Sequence, residues 1–238
     1  SQWRTNEFET LILMKSLLFL LLLASQMQAQ LKTNLITFNV KVGEDDLFEA
    51  VPKSMREEYI NEEESKSYTL EFNTTQSVFL YEGGISPKGA NRQPESFFKE
   101  KDSLYTLKSL ADSDFEEAIL IKERNANWEL HNESKMIGDY KCYKATCFYI
   151  ADNALKSKFT IIAWYAPSIP YPFGPKGYGG LPGMILELQD RIVLYGATKI
   201  NLQTLINPKK SILKKPGGKR ITSEKYSERI NDIYSEKP

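Results

Sequence analysis

Period-two alternation is the feature that most restricts this chain. In "NLITFNVKV", Ile36, Phe38, Val40 and Val42 fall on one side of an extended strand. In "SYTLEF", Tyr68, Leu70 and Phe72 do the same, and the polar break "NTTQ" separates them from "SVFLYE", the expected hairpin partner. Further short segments follow: "EEAILIKE", "NWELHN", "DYKCYKATCFYI", "KSKFTIIAWYA", "GMILELQ" and "RIVLYGATKI". Turn-forming stretches such as "RNAN", "ADNAL" and "QD" lie between them. Strands joined by tight turns pair as neighbours. The pattern therefore predicts a mainly β fold: a single strongly curved antiparallel sheet, half-barrel or bowl, with one or two flanking helices. A β-sandwich is the alternative.

Two stretches read as helix. "VPKSMREEYINEEE" begins at Pro52 and sets Met55, Tyr59 and Ile60 at helical spacing. "SEKYSERINDIYSE" sets Tyr226, Ile230 and Ile233 on one stripe, with Ser223 as N-cap. Both stripes are narrow, so each helix covers a sheet edge or face. "YEGGISPKGANRQPESF", Tyr81 to Phe97, reads as a long loop.

"GYGGLPGMILELQD", Gly177 to Asp190, follows Pro167, Pro170, Pro172 and Pro175. Prolines exclude regular pairing and remove donors, so a phosphate-cradling loop does not fit. The stretch reads as a rigid structural turn at Gly180, Leu181, Pro182 and Gly183, with Leu181 plugging an apolar pocket. Trp164 and Tyr165 are adjacent in a strand and so face opposite ways. With Tyr171, Phe173 and Tyr178 they form a candidate ligand-binding aromatic cluster, set against plain core packing.

Three motifs carry a resemblance. Tyr140, Cys142, Lys144 and Ala145 make a "Y-x-C-x-K-A" strand. Trp164, Tyr165, Pro167, Ile169 and Pro170 make a "WY-x-P-x-IP" strand end, and Gly180 to Leu186 read "GLPGMIL". Together they resemble the GLPGLI family of exported proteins, typical of Bacteroidetes, with Met184 where the family has leucine. The resemblance covers most of the chain after residue 30. It implies export and a shared fold but no activity, because family members are largely uncharacterised.

The start of the chain agrees with export. From Met14, a lysine at Lys15 precedes the apolar run Leu17 to Leu23, then short polar residues and Ala29. These are the regions of a secretory signal peptide over 14–29, with Ser1 to Leu13 read as an over-extended gene start. Residues 30–238 are read as a single domain, periplasmic or secreted. The apolar run is too short for a membrane span, so no transmembrane anchor is expected in the mature chain.

The remaining residues exclude more than they offer. Lysine plus arginine and aspartate plus glutamate each number 31, so a nucleic-acid partner has no electrostatic footprint. His131 is the single histidine, which rules out a multi-histidine metal site; no cofactor is implied. Cys142 and Cys147 are the two thiols. An oxidising compartment favours their pairing, whereas five residues of one strand, roughly 16 Å, argue against it. Asp139, Glu187 and Asp190 are carboxylates that nothing in the sequence fixes as a pair. "DSL" at Asp102 to Leu104 resembles a short bacterial O-glycosylation site, with Ser103 as acceptor. Two functions stay open: an envelope binding or assembly module holding an apolar, glycan or peptide ligand or another envelope protein, and a carboxylate-based envelope hydrolase.

Overall fold

The computed structural model describes residues 31–83, 96–100, 103–108, 119–123, 126–150, 158–214, 217, 219–222, 224–226 and 228. Two compact units divide the chain. The smaller comprises Ser1–Lys32 and Leu205–Ser211. Its described part holds a 3-10 turn, Pro208–Lys210, capped by Asn207, whose Oδ1 accepts from the Lys209 N–H at 2.9 Å. The larger comprises Thr33–Thr204 and Ile212–Pro238 and contains the core.

Among the described residues the protein is mainly β, built on one sheet rather than two packed sheets. The strands are β1 (Leu31–Val42), β2 (Ser67–Phe72), β3 (Gln76–Gly83), β4 (Ser96–Glu100), β5 (Ser103–Lys108) and β6 (Ile119–Glu123). They continue as β7 (Glu129–Ile137), β8 (Tyr140–Ile150), β9 (Lys158–Ala166), β10 (Met184–Asp190), β11 (Val193–Ile206) and β12 (Lys219–Thr222). Among the described residues their order across the sheet is β12-β6-β5-β4-β3-β2-β1-β11-β10-β9-β8-β7, with β12 and β7 at its two ends. The hairpins expected from alternation form: β2 turns into β3 at Asn73, whose Oδ1 accepts from the Thr75 and Gln76 N–H groups. One pairing departs from the antiparallel expectation. β12 lies parallel to β6, with Ile221 opposite Ile121.

Register assigns the faces. Ile36 pairs with Leu70 and Leu70 with Phe79, so these three share the inner face and are buried. On the other half, Ala145 pairs with Ala163, and Ala163 with Leu188, again all buried. A register shift between Ile185 and Glu187 breaks alternation in β10, which allows Met184, Ile185, Leu186 and Leu188 all to be buried.

The sheet curls around a strap formed by residues 167–183. Within it, a 3-10 turn, Pro175–Gly177, touches β3, β4, β5 and β10. β5 and β10 are separated by six steps of strand order, roughly 29 Å in a flat sheet. Three residues of 3-10 turn span only about 6 Å. A strap that reaches both strands requires the sheet to bend over it, which is the expected strong curvature.

Two helices flank this unit among the described residues. α1 (Asp46–Glu49) starts where Asp45 Oδ1 accepts from the Phe48 N–H at 2.7 Å. α2 (Lys53–Glu64) follows Pro52, whose fixed φ suits a helix start, and ends where the Ser65 hydroxyl donates to the Glu62 carbonyl at 2.7 Å. Lys66 holds Glu62 and Glu63 at 3.3 and 2.5 Å near that end. No residue of α2 is fully buried. The second expected helix is seen at 224–226 and 228; its remainder lies outside the described residues.

Candidate functional site

The strap is pinned by its own backbone. The Gly180 N–H donates to the Pro172 carbonyl at 3.1 Å, Met184 to Ile169 at 2.9 Å and Ile185 to Phe173 at 2.9 Å. Gly180 has a φ of 85°, a left-handed conformation that side chains with a Cβ resist. Gly183 is needed for a different reason: a methyl group there would come within 2.6 Å of the Ala166 carbonyl carbon. Leu181, between them, is 2% exposed, and Pro182 is exposed.

The five aromatics of the expected ligand cluster do not share one open surface. Trp164 and Tyr165 face opposite ways. Trp164 stands on the outer face with the Lys135 ammonium 4.4 Å from its ring centroid, while Tyr165 is buried inside next to Tyr143. Tyr171 and Phe173 pack their rings against Phe72, at 5.0 and 6.2 Å between centroids. Tyr178 leans on Trp128, whose indole N–H donates to the Gly179 carbonyl at 2.9 Å. Tyr165 and Phe173 are buried in the curled sheet, Tyr171 and Tyr178 are half-buried against it, and Trp164 lies on the outer face.

Three further candidates are located by register. Cys142 and Cys147 are both free, buried thiols, the arrangement that strand spacing argued for against pairing. Cys142 lies opposite Lys135 on the outer face, whereas Cys147 lies opposite Ile161 on the inner face. Five residues of regular strand and opposite directions keep the sulfurs apart. Burial pushes each thiol up to about 11. Glu187 and Asp190 also point to opposite faces: Glu187 accepts from Lys135 at 2.6 Å, and Asp190 is paired with Lys176. They cannot work as a dyad. His131 is half-buried, with Nε2 2.8 Å from the Thr146 hydroxyl, and Asp139 is exposed in the β7–β8 turn. Ser103 opens β5, half-buried; Asp102 lies outside the described residues. Among the described residues no group of three or more histidine, cysteine or acidic side chains could hold a metal.

A pocket of about 580 Å³ opens where α1 and α2 lie over the β10–β11 hairpin. This is the size range of small-molecule sites. Phe48, Val51, Met55, Ile192 and Val193 supply apolar wall; Tyr59, Glu63, Lys176, Asp190, Arg191 and Tyr195 supply polar groups. Phe48 and Tyr59 meet edge-to-face at 5.6 Å, joining the two helices. Lys176 and Arg191 hold left-handed backbone at φ 51° and 57°, two of three such non-glycine residues among those described. Strain of this kind concentrates where a side chain is being aimed.

Tyr195 projects inward from β11, 7% exposed, with its ring 5.7 Å from Tyr68 and 6.1 Å from Phe79. Burial, then the charge of Asp190, pushes its hydroxyl well above the usual tyrosine range, so it stays protonated. Burial, then the charge of Glu63, also raises the Tyr59 hydroxyl, with Lys66, Arg191 and Lys176 opposing. The ammonium of Lys176 is held charged by Asp190 despite its desolvation.

Sequence reasoning did not single out this pocket. One signal was available: Lys176 is the only charged residue between Pro167 and Pro182, a cation set in an otherwise apolar, proline-rich stretch. Tyr195 carried a weaker one, lying in inward register with Val193.

The described residues thus define a mainly β protein with an open, curled sheet and a pocket beneath flanking helices. Residues 150–187 match a family described as a protein of unknown function (Porph_ging). The matched span includes the Trp164–Pro170 and Gly180–Leu186 motifs. No curated protein matches the chain. Among solved structures, PNGF-II in its P21 and C2 space groups is similar, with TM-scores of 0.53 and 0.54 at 15% and 16% identity. The likeness covers 84% and 85% of this chain and 33% of PNGF-II, so the chain spans about a third of that protein's length. At such identity the likeness is one of fold. A LolA superfamily protein from Nitrosomonas europaea is matched over 79% of this chain and 91% of its own, at 12% identity and a TM-score of 0.27, a value that carries no argument. No helix among the described residues is long and apolar enough to cross a membrane.

Proposed function

We propose that this chain is an exported binding or assembly module of the bacterial cell envelope rather than an enzyme. The observation that carries the reading is the pocket under α1 and α2, where an apolar wall meets inward-turned Tyr195 and the strained Lys176. The three-motif resemblance to GLPGLI proteins and the signal-peptide pattern over 14–29 support export. Sharing its fold with a third of PNGF-II supports a modular role. Ligands suited to the pocket are apolar molecules, glycans or peptides presenting an apolar group.

The hydrolase reading finds less support. Glu63 and Asp190 both line the pocket, yet Lys66 holds the first and Lys176 the second. Neither carboxylate is left to act as acid or nucleophile. Filling the pocket with Val193→Trp tests the binding reading: uptake of the fluorescent probe 8-anilinonaphthalene-1-sulfonate should fall while the fold is kept. Equal uptake by both proteins counts against the pocket. A mature end at Gln30 in mass spectra of native material tests export, and the same spectra show whether Ser103 carries the proposed O-glycan.

A further inference from the structure

One end of the β8–β9 hairpin is built unlike the rest of the sheet. Pairing between β7 and β8 begins at Glu129 and Thr146, and pairing between β10 and β9 ends at Asp190 and Ile161. β8 and β9 nevertheless continue together, with Phe148 opposite Thr160, Tyr149 opposite Phe159 and Ile150 opposite Lys158. Among the described residues this end of the hairpin therefore projects past both neighbouring strands. Phe148 and Tyr149 are 55% and 52% exposed, the two exposed aromatic residues among those described. Adjacent strand residues point to opposite faces, so the projection shows an exposed ring on each. Each face also carries a cation over a ring. The Lys158 ammonium is 3.6 Å from the Phe148 centroid on the outer face, and the Arg191 guanidinium is 4.5 Å from that of Phe159 on the inner. Asp190, the acid next to Arg191, is already paired with Lys176.

A flat protein partner covers one face of a strand pair, whereas a layer entered tip-first covers both. Aromatic rings flanked by basic side chains are the composition favoured where hydrocarbon meets phosphate headgroups. We propose that this hairpin end docks on an anionic phospholipid surface. Phe148 and Tyr149 enter the interface from the two faces of the hairpin, and Lys158 and Arg191 meet the headgroup phosphates. The inference does not depend on the pocket holding a ligand.

Co-sedimentation of the purified chain with vesicles of phosphatidylcholine, alone or mixed with phosphatidylglycerol, provides the test. The mixed vesicles should bind the protein several-fold more tightly, and added salt should weaken that binding. Phe148→Ser combined with Tyr149→Ser should weaken it about ten-fold or more. Lys158→Gln and Arg191→Gln should each weaken it about five-fold, the scale of one basic residue at an anionic surface. Met136→Ser is the control. Met136 is 61% exposed on the neighbouring strand but pairs with Lys141, roughly 23 Å along β8 from Phe148, and its variant should bind like the parent. Phe148→Trp adds a reporter at the projection whose emission should move to the blue on mixed vesicles. No binding to mixed vesicles, equal binding to both kinds, or a Phe148→Ser/Tyr149→Ser protein that binds like the parent overturns the proposal. So does a Met136→Ser loss as large as that of the tip variant, or unchanged emission from Phe148→Trp. A chain that ignores vesicles but binds poly-glutamate through the same two cations has an acidic protein as its partner, and the proposal falls.

Discussion

Lys176 and Asp190 meet across fourteen residues of chain, one from a strap turn with left-handed backbone, the other from the last position of β10. Their side chains are 29% and 20% exposed, so the pair is screened less than a surface bridge yet not fully desolvated. Removing one partner should then cost about 1–3 kcal/mol, between the surface and buried limits.

Two substitutions at this position separate charge from backbone. Lys176→Ala and Lys176→Gly both lose the ion pair, but glycine also releases the left-handed strain, worth about 1 kcal/mol. The glycine variant is expected to melt above the alanine variant, both below the parent. Thermal melts of the three proteins check this, and the reverse order would show that φ at this position stores no strain.

Alkaline pH should weaken the fold in a defined window. Burial raises Cys142 and Cys147 from 9.0 to about 11, and raises Tyr68, Tyr178 and Tyr195 from 10.0. Lys176 is also raised from 10.5, there by Asp190. For all of them the folded state keeps its protons longer than the unfolded state. Their contribution is therefore complete below about pH 9 and lost as pH rises through the folded values. Melting temperature followed from pH 7 to 11 should fall beyond pH 9, and Cys147→Ser should make the fall shallower.

The turn between Gly180 and Gly183 predicts a graded series. Leu181→Ala opens a cavity in a buried site and should cost about 2–5 kcal/mol. Gly180→Ala meets open space but carries a φ of 85°, so about 1 kcal/mol is expected. Gly183→Ala runs into the Ala166 carbonyl and should exceed it. Denaturant midpoints of the three variants give the order; a neutral Leu181→Ala removes the structural role of the turn.

The two thiols should stay silent in the folded protein. A thiol reagent is expected to label neither Cys142 nor Cys147 until denaturant is added, then to label both. A pair that fails to react after unfolding without reductant would mean a disulfide that the opposite-facing register forbids.

Strand order along the chain was legible wherever alternation was clean, as in Ile36–Val42 and Tyr68–Phe72. β4 and β5 were not, and Lys99 explains why. It takes an inward register position beside Phe97, only 6% exposed, so the hydrophobic pattern of "SFFKEKDSLY" is interrupted by a buried cation. The parallel pairing of β12 with β6 had no local signature, since nothing in Lys219–Thr222 encodes its direction. The aromatic residues of the strap were legible as a group, but their assignment to core rather than ligand depended on Phe72, far earlier in the chain. The pocket was hidden for the same reason: its walls come from α1, α2, the strap and the β10–β11 turn, and no one segment displays it.

That strap has a kinetic consequence. Tyr171 and Phe173 complete an interior begun by Phe72, and Gly180 to Met184 then lock the closure by bonding back to Pro172 and Ile169. During synthesis the N-terminal hairpins emerge with their inner face uncovered, waiting for a late segment to seal it. Contacts so distant in sequence make for slow folding and a period of adhesive, half-built sheet. A newly made chain of this kind is most vulnerable before its strap arrives, and a chaperone that shields β1 to β3 during that interval would act on the step that limits yield.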